Sequence, residues 1–152
     1  MQVEYLADRV QLIPELARLH FEEWSYLRPG ETLEGRTKRL RRSCGKGLPT
    51  VIVGLLNNEL CGSAMLVAQD LEACPRLTPW LAGVYIKPQY RNKGLAVELI
   101  ARIIEEARAL HFPHLYLYTP GNTRLYEHLG WAVHEHHVHH GTQVVVMSRR
   151  LA

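Results

Sequence analysis

The stretch Val84-Tyr85-Ile86-Lys87-Pro88-Gln89-Tyr90-Arg91-Asn92-Lys93-Gly94-Leu95-Ala96 leads a strand-forming segment through a short basic turn into an amphipathic helix. Pro88 removes an amide donor and ends the strand, and Gly94 falls where the chain must bend tightly or let a ligand approach the backbone. The first amides of the following helix lack intrahelical acceptors. Together with the positive end of the helix dipole and the side chains of Arg91 and Lys93, they outline a cradle for a phosphate group. The spacing Arg91-x-x-Gly94-x-Ala96 is not that of a P-loop, which has a longer glycine span and a Lys-Ser or Lys-Thr pair. Nor is it the Gly-x-Gly-x-x-Gly dinucleotide fingerprint, so nucleotide hydrolysis and hydride transfer both lose ground. A basic turn with one glycine is by itself ordinarily only a helix start, and other segments must decide its meaning.

Outward from this turn, Leu95, Leu99, Ile103 and Ala107 form one helical stripe, with Glu98, Arg102, Glu105, Glu106 and Arg108 largely elsewhere, so the helix lies on a sheet. The strand Leu115-Tyr116-Leu117-Tyr118 follows, and strand, helix, strand implies a crossover between two parallel strands. Upstream, Thr50 to Leu56 and Leu60 to Val67 flank Asn57-Asn58-Glu59 as an antiparallel hairpin. Gln2 to Ala7 reads as a first strand. A helix is predicted from Val10 to near Leu27, before Pro29-Gly30, and a second from Leu33 to Arg42 with Thr32 as its cap. Trp131 to His137 and Thr142 to Met147 form a last hairpin around Gly141. The expected architecture is a mixed sheet with helices on both faces.

At 152 residues, 47% of them hydrophobic, the chain suits one domain and one core. Its start lacks the basic and apolar regions of a signal peptide, and no apolar run approaches a membrane span, so a soluble cytoplasmic protein is expected. Cys44, Cys61 and Cys74 have neither C-x-x-C nor zinc-like spacing and are read as reduced thiols. The net charge of +3 is too small to argue for nucleic acid, yet Arg36, Lys38, Arg39, Arg41, Arg42 and Lys46 fall together without an acidic residue among them. Such a segment is ordinarily a solvated helix face; a site for an acidic substrate, for the outer phosphate of a coenzyme or for a nucleic-acid backbone are the alternatives, the last ranked lowest. His134, His136, His137, His139 and His140 suggest metal, but a strand splits them between two faces, and a polar rim is preferred with no metal expected.

About thirty residues beyond the basic turn comes Asn122-Thr123-Arg124-Leu125-Tyr126-Glu127-His128-Leu129-Gly130-Trp131. With Arg91-x-x-Gly94-x-Ala96 upstream, this resembles the GNAT acyltransferase superfamily, sharply from about Leu81 to Trp131 and only generally outside it. Ala96 stands where the family often has glycine. The resemblance implies a single α/β domain over residues 1–152, with a mixed, mostly antiparallel sheet flanked by helices and a central parallel strand pair that splays to hold acetyl-CoA. It places the coenzyme pyrophosphate on Arg91, Asn92, Lys93, Gly94, Leu95 and Ala96, the pantetheine arm on the backbone of Val84 and Ile86, and Asn122 beside the coenzyme, although Asn122 reads equally as a helix cap.

The implied reaction is direct transfer of an acetyl group to a primary amine, either a small molecule or a peptide amino terminus. Tyr126 is expected to protonate the departing thiolate, with mere positioning of the sulfur as the alternative. A backbone amide between Val84 and Ile86 would meet the oxyanion. Leu81-Ala82-Gly83 supplies no carboxylate where some members carry a glutamate. The base is therefore open among Glu22, Glu23, Asp70, Glu72, Tyr118 and a water relay, and Trp24 is read first as core and second as acceptor wall. That gap motivates a second reading, an inactive acyl-CoA-binding regulatory module. The resemblance allows a homodimer through the last strands without requiring one.

Overall fold

Seven strands and four α-helices account for the periodicities, in a computed structural model that describes residues 1–151; residue 152, the last of the expected domain span, lies outside the described residues. In chain order they are β1 (Gln2–Tyr5), α1 (Ile13–Trp24), α2 (Leu33–Arg42), β2 (Thr50–Leu56), β3 (Glu59–Val67), β4 (Trp80–Ile86), α3 (Leu95–Ala109), β5 (His114–Thr119), α4 (Thr123–His128), β6 (Ala132–His139) and β7 (Thr142–Arg150). The strands form one sheet in the order β1-β2-β3-β4-β5-β7-β6, antiparallel throughout except for the parallel pair β4 and β5.

Local chemistry explains the boundaries. α1 begins at Ile13 rather than at the expected Val10, because Pro14 occupies the first turn, where its missing amide costs nothing; Val10–Leu12 is a 3-10 turn instead. α2 starts where predicted, with the Gly35 amide donating to Thr32 Oγ1 at 3.0 Å. Asn57 and Asn58 both have positive φ, at 50° and 65°, as the tight hairpin between β2 and β3 demands of its two turn residues.

β2 is buried on both sides and supplies two cores at once. Ile52 is on the α3 side of the sheet, in one core cluster with Leu66, Leu115 and Met147 of the neighbouring strands and Leu95, Leu99, Ile100, Ile103 and Ala107 of α3. Val51, Val53 and Leu55 face the other way, against Ile13, Leu16 and Ala17 of α1 and Leu40 of α2. A smaller cluster of Leu71, Cys74, Trp80, Val144 and Val146 lies under the connection from β3 to β4. Among the described residues no helix is long and apolar enough to cross a membrane.

Candidate functional site

β4 and β5 are in register at one point only, Trp80 opposite Tyr116, and beyond it they part. The gap is sharpened from the other side by a bulge. Ser63 pairs with Tyr85 and Met65 with Ala82, so Gly83 and Val84 together oppose the single residue Ala64. Gly83 has φ +57°, a conformation that favours glycine, and a Cβ there would meet Met65 Sδ at 2.6 Å, so the thioether would also have to move aside. Ser63 Oγ donates to the Gly83 carbonyl at 2.8 Å, which spends its one proton. His20 Nε2, 2.8 Å from the same Oγ, must therefore be the donor in that contact, leaving Nδ1 as a bare, buried acceptor with no partner. The imidazole is fully buried; burial first, then the charges of Arg36 and Arg39, push its pKa down to about 3 and keep it neutral.

The gap opens into a cavity of about 510 Å³, walled by Leu81 to Val84 of β4, Leu117 to Thr119 of β5, Asn122, Tyr126, and residues of α1, α2 and their connection. Three arginines and two carboxylates reach it: Arg28, Arg36 and Arg39 with Glu23 and Asp70. Arg36 and Arg39 share Glu31, each with a nitrogen 3.1 Å from Glu31 Oε1. Arg28 is 3.8 Å from Asp70 Oδ1. Burial raises the Asp70 pKa to about 6 in spite of Arg28, Arg39 and Arg36, which pull the other way. Burial likewise raises Tyr118, with the charge of Asp70 adding to it.

The basic segment thus divides. Arg36 and Arg39 turn inward, contrary to the solvated-face reading, because they follow the stripe of buried Leu40; Lys38, Arg41 and Arg42 stay exposed as that reading expects. Lys38 pairs with Glu34 and Lys46 with Asp8. Of the candidate bases, Glu23, Asp70 and Tyr118 line the cavity. Glu22 sits on the surface beside Arg18. Trp24 combines both of its readings: it lines the cavity and packs against His20 and Tyr85, with ring centroids 4.9 and 6.0 Å away.

The cavity brings together Val84, Asn122 and Tyr126. Asn122 makes no side-chain cap bond, and its amide donates to Thr119 Oγ1 at 3.2 Å, so its side chain does no capping work. Burial raises Tyr126 to about 12, away from the range of a thiol rather than toward it. Ile86 is outside the cavity lining: it is buried in the core, and its carbonyl accepts from Arg91 Nε at 2.8 Å. Arg91 also lies over the Tyr85 ring, so this side chain braces the end of β4. Arg91, Asn92, Lys93 and Gly94 form an exposed turn at the head of α3, with positive φ at Asn92 and at Gly94, whose missing side chain faces open space. Leu95 is core, and Ala96 is half-buried against it. The sequence offered Glu23 and Asp70 as candidate bases and the Arg36 to Lys46 segment as a site for an acidic substrate, but not their meeting, because the members come from α1, α2, the segment between them and the turn after β3.

The sequence profile described as the acetyltransferase (GNAT) family matches residues 13–131. The chain belongs to that family of acyltransferases. No curated protein is matched significantly by sequence alone. Among solved structures, an aminoglycoside 6'-acetyltransferase type Ii is similar with a TM-score of 0.79 at 14% identity, over 100% of this chain and 98% of that one. An aminoglycoside 6'-N-acetyltransferase complexed with coenzyme A gives 0.77 at 13%, again over 100% and 98%. The ribosomal-protein-alanine N-acetyltransferase from Brucella melitensis gives 0.75 at 18%, over 99% of each chain. At these identities the three relate to this chain through the fold.

Proposed function

We propose that the protein is an N-acetyltransferase that moves an acetyl group from acetyl-CoA directly to a primary amine whose own molecule also carries a carboxylate or other acidic group, as a small molecule or as a peptide amino terminus. The observation that carries this reading is the set of arginines in the cavity: Arg28, Arg36 and Arg39 stand there with Glu23 and the half-buried Asp70, and Arg36 and Arg39 are held by Glu31. A polycation such as an aminoglycoside would meet Arg28, Arg36 and Arg39 at close range; an anionic group would gain charge-assisted hydrogen bonds there.

Acetyl-CoA supplies the activated acyl group. Arg91 to Ala96 hold its phosphates at the head of α3, and the unpaired side of β4 at Val84 offers backbone to its amide-bearing arm. Asp70, ionised above about pH 6, takes the proton of the incoming ammonium, so that the free amine forms the new C–N bond as the C–S bond breaks. The bulge at Gly83 and Val84 turns backbone toward the forming oxyanion, and the chain from His20 through Ser63 to the Gly83 carbonyl holds that bulge in place. Tyr126 donates a hydrogen bond to the departing thiolate. Its high pKa makes complete transfer of its own proton uphill; attack leaves the nitrogen with a surplus proton besides the one Asp70 has collected, so one of the two goes to sulfur to give the thiol and the other leaves to solvent.

A test measures acetyl transfer to simple amines, amino acids, acidic peptides and an aminoglycoside. Acceptors with a carboxylate should show the lowest KM, and Tyr126→Phe should lower kcat by on the order of 10- to 100-fold, the worth of a hydrogen bond to a charged group, with acetyl-CoA affinity preserved. A preference for the polycation overturns the acceptor assignment. Tight acetyl-CoA binding with no transfer to any amine would favour the regulatory reading.

A further inference from the structure

Away from the acyl-transfer cavity, the connection between β3 and β4 lays Cys74 against the inward face of β6. Glu135 and His137 are two residues apart on that strand and so share a face, and Cys74 Sγ lies 3.3 Å from His137 Nε2 and 3.5 Å from Glu135 Oε1. His137 Nε2 is 3.1 Å from Glu135 Oε2. These donor atoms all lie within 4.8 Å of one another. A bulge in β6, where the register jumps from Val133 to Glu135, interrupts strict alternation and leaves a second imidazole, that of His134, 3.8 Å from Glu135 Oε1. Alternation along the strand divides the histidines of this hairpin between two faces. His136 does point to the other face, but the set is completed by Cys74, 61 residues before Glu135 and 63 before His137.

We propose that Cys74, Glu135 and His137, with His134 beside them, form a binding site for a divalent zinc ion. One thiolate, one imidazole and one carboxylate is a donor set that zinc takes readily and that magnesium or calcium does not. The spacing fits as well. Zinc bonds of about 2.0–2.3 Å at tetrahedral angles put ligand atoms about 3.3–3.8 Å apart. Cys74 and His137 already have that spacing; they face different oxygens of Glu135, so its carboxylate must turn to bring one oxygen to both, within the 4.8 Å that the set spans. An open hollow of about 310 Å³, lined by Ala73, Cys74, Pro75, Arg76, Leu77 and Glu135, gives the ion a way in. Cys74 itself is buried, resting in the cluster with Leu71, Trp80, Val144 and Val146, which shields the sulfur from oxidants and fixes its position. On binding, the thiol proton passes to solvent. The ion would then tie the connection that carries Asp70 to the last hairpin, as a staple rather than a reaction centre.

The test uses the whole protein, reduced under anaerobic conditions and stripped with a chelator. Zinc should bind with one equivalent in competition with a chromophoric chelator and raise the melting temperature. Cobalt(II) in its place should give a thiolate-to-cobalt charge-transfer band. Cys74→Ser and His137→Gln should each lower affinity by more than about 100-fold, beyond what loss of an outer-shell partner costs, whereas His136→Gln should leave it unchanged. A cobalt spectrum of the wild-type protein without the thiolate band overturns the proposal whether or not the variants fold. So does zinc affinity that His136→Gln reduces as much as His137→Gln.

Discussion

Replacing Asp70 with asparagine should make the protein more stable and less active, with both effects tied to the same titration. In the unfolded chain this carboxyl has its ordinary pKa of 3.8; burial raises it to about 6 in the folded state. Between those values the folded protein holds a proton that the unfolded chain has released, so stability falls as pH rises through that window and levels off above it. The whole interval corresponds to about 3 kcal/mol, of which about 2 kcal/mol lies between about pH 4.5 and pH 8. Asparagine has the same shape and does not ionise. The advantage of Asp70→Asn over wild type should therefore grow by about 2 kcal/mol from pH 4.5 to 8, or about 4–8 °C in melting temperature for a chain of this size. In parallel, kcat/KM of the variant should fall by on the order of 100-fold and lose its rise near pH 6. Thermal unfolding at both pH values, with a pH–rate profile, measures all of this. A stability difference that does not change with pH, together with an unaltered profile, would refute both the buried-carboxylate argument and the assignment of Asp70 as base.

Arg39→Gln should raise the KM of an acidic acceptor by 10-fold or more, as expected for losing a charge-assisted hydrogen bond, while Arg42→Gln, on the exposed side of α2, should leave steady-state kinetics unchanged. Gly94→Ala should cost about 1–2 kcal/mol from the positive φ alone, since its Cβ would enter open space, and should raise the KM of acetyl-CoA rather than that of the acceptor. Thr32→Ala removes the hydrogen bond that starts α2 and should cost about 1 kcal/mol by chemical denaturation. If it also weakens acceptor binding, that would report how firmly α2 holds Arg36 and Arg39 in the cavity.

Local signals in the sequence were read well where one residue controls one piece of backbone. Thr32 caps its helix, the two asparagines make their turn, and Gly94 takes the left-handed conformation at the head of α3. The parallel pair was legible because a helical stripe sat between two apolar strands. The bulge at Gly83 was within reach of the sequence, since a glycine inside a strand is a bulge signal. The direction taken by Arg36 was also within reach, since it lies four residues before the buried Leu40 on the same helix face. No spacing rule could have joined Asp70 to Arg28 and Arg39, or Cys74 to His137. Those contacts depend on where the β3 to β4 connection folds back over the sheet, which is set by tertiary packing around Trp80 and Leu71.

The parting of β4 from β5 also bears on how the chain avoids its own copies. A strand with free amides and carbonyls at the rim of a sheet invites another chain to add itself, and repeated addition builds fibres. Here the free row lies in the middle of the sheet, between β4 on one side and β5 and Tyr126 on the other. A slender extended molecule can slide into that slot, but a second folded sheet, which needs about 10 Å of clearance on each face, cannot. The protein keeps an adhesive backbone edge ready for use and admits to it only what is thin enough to enter.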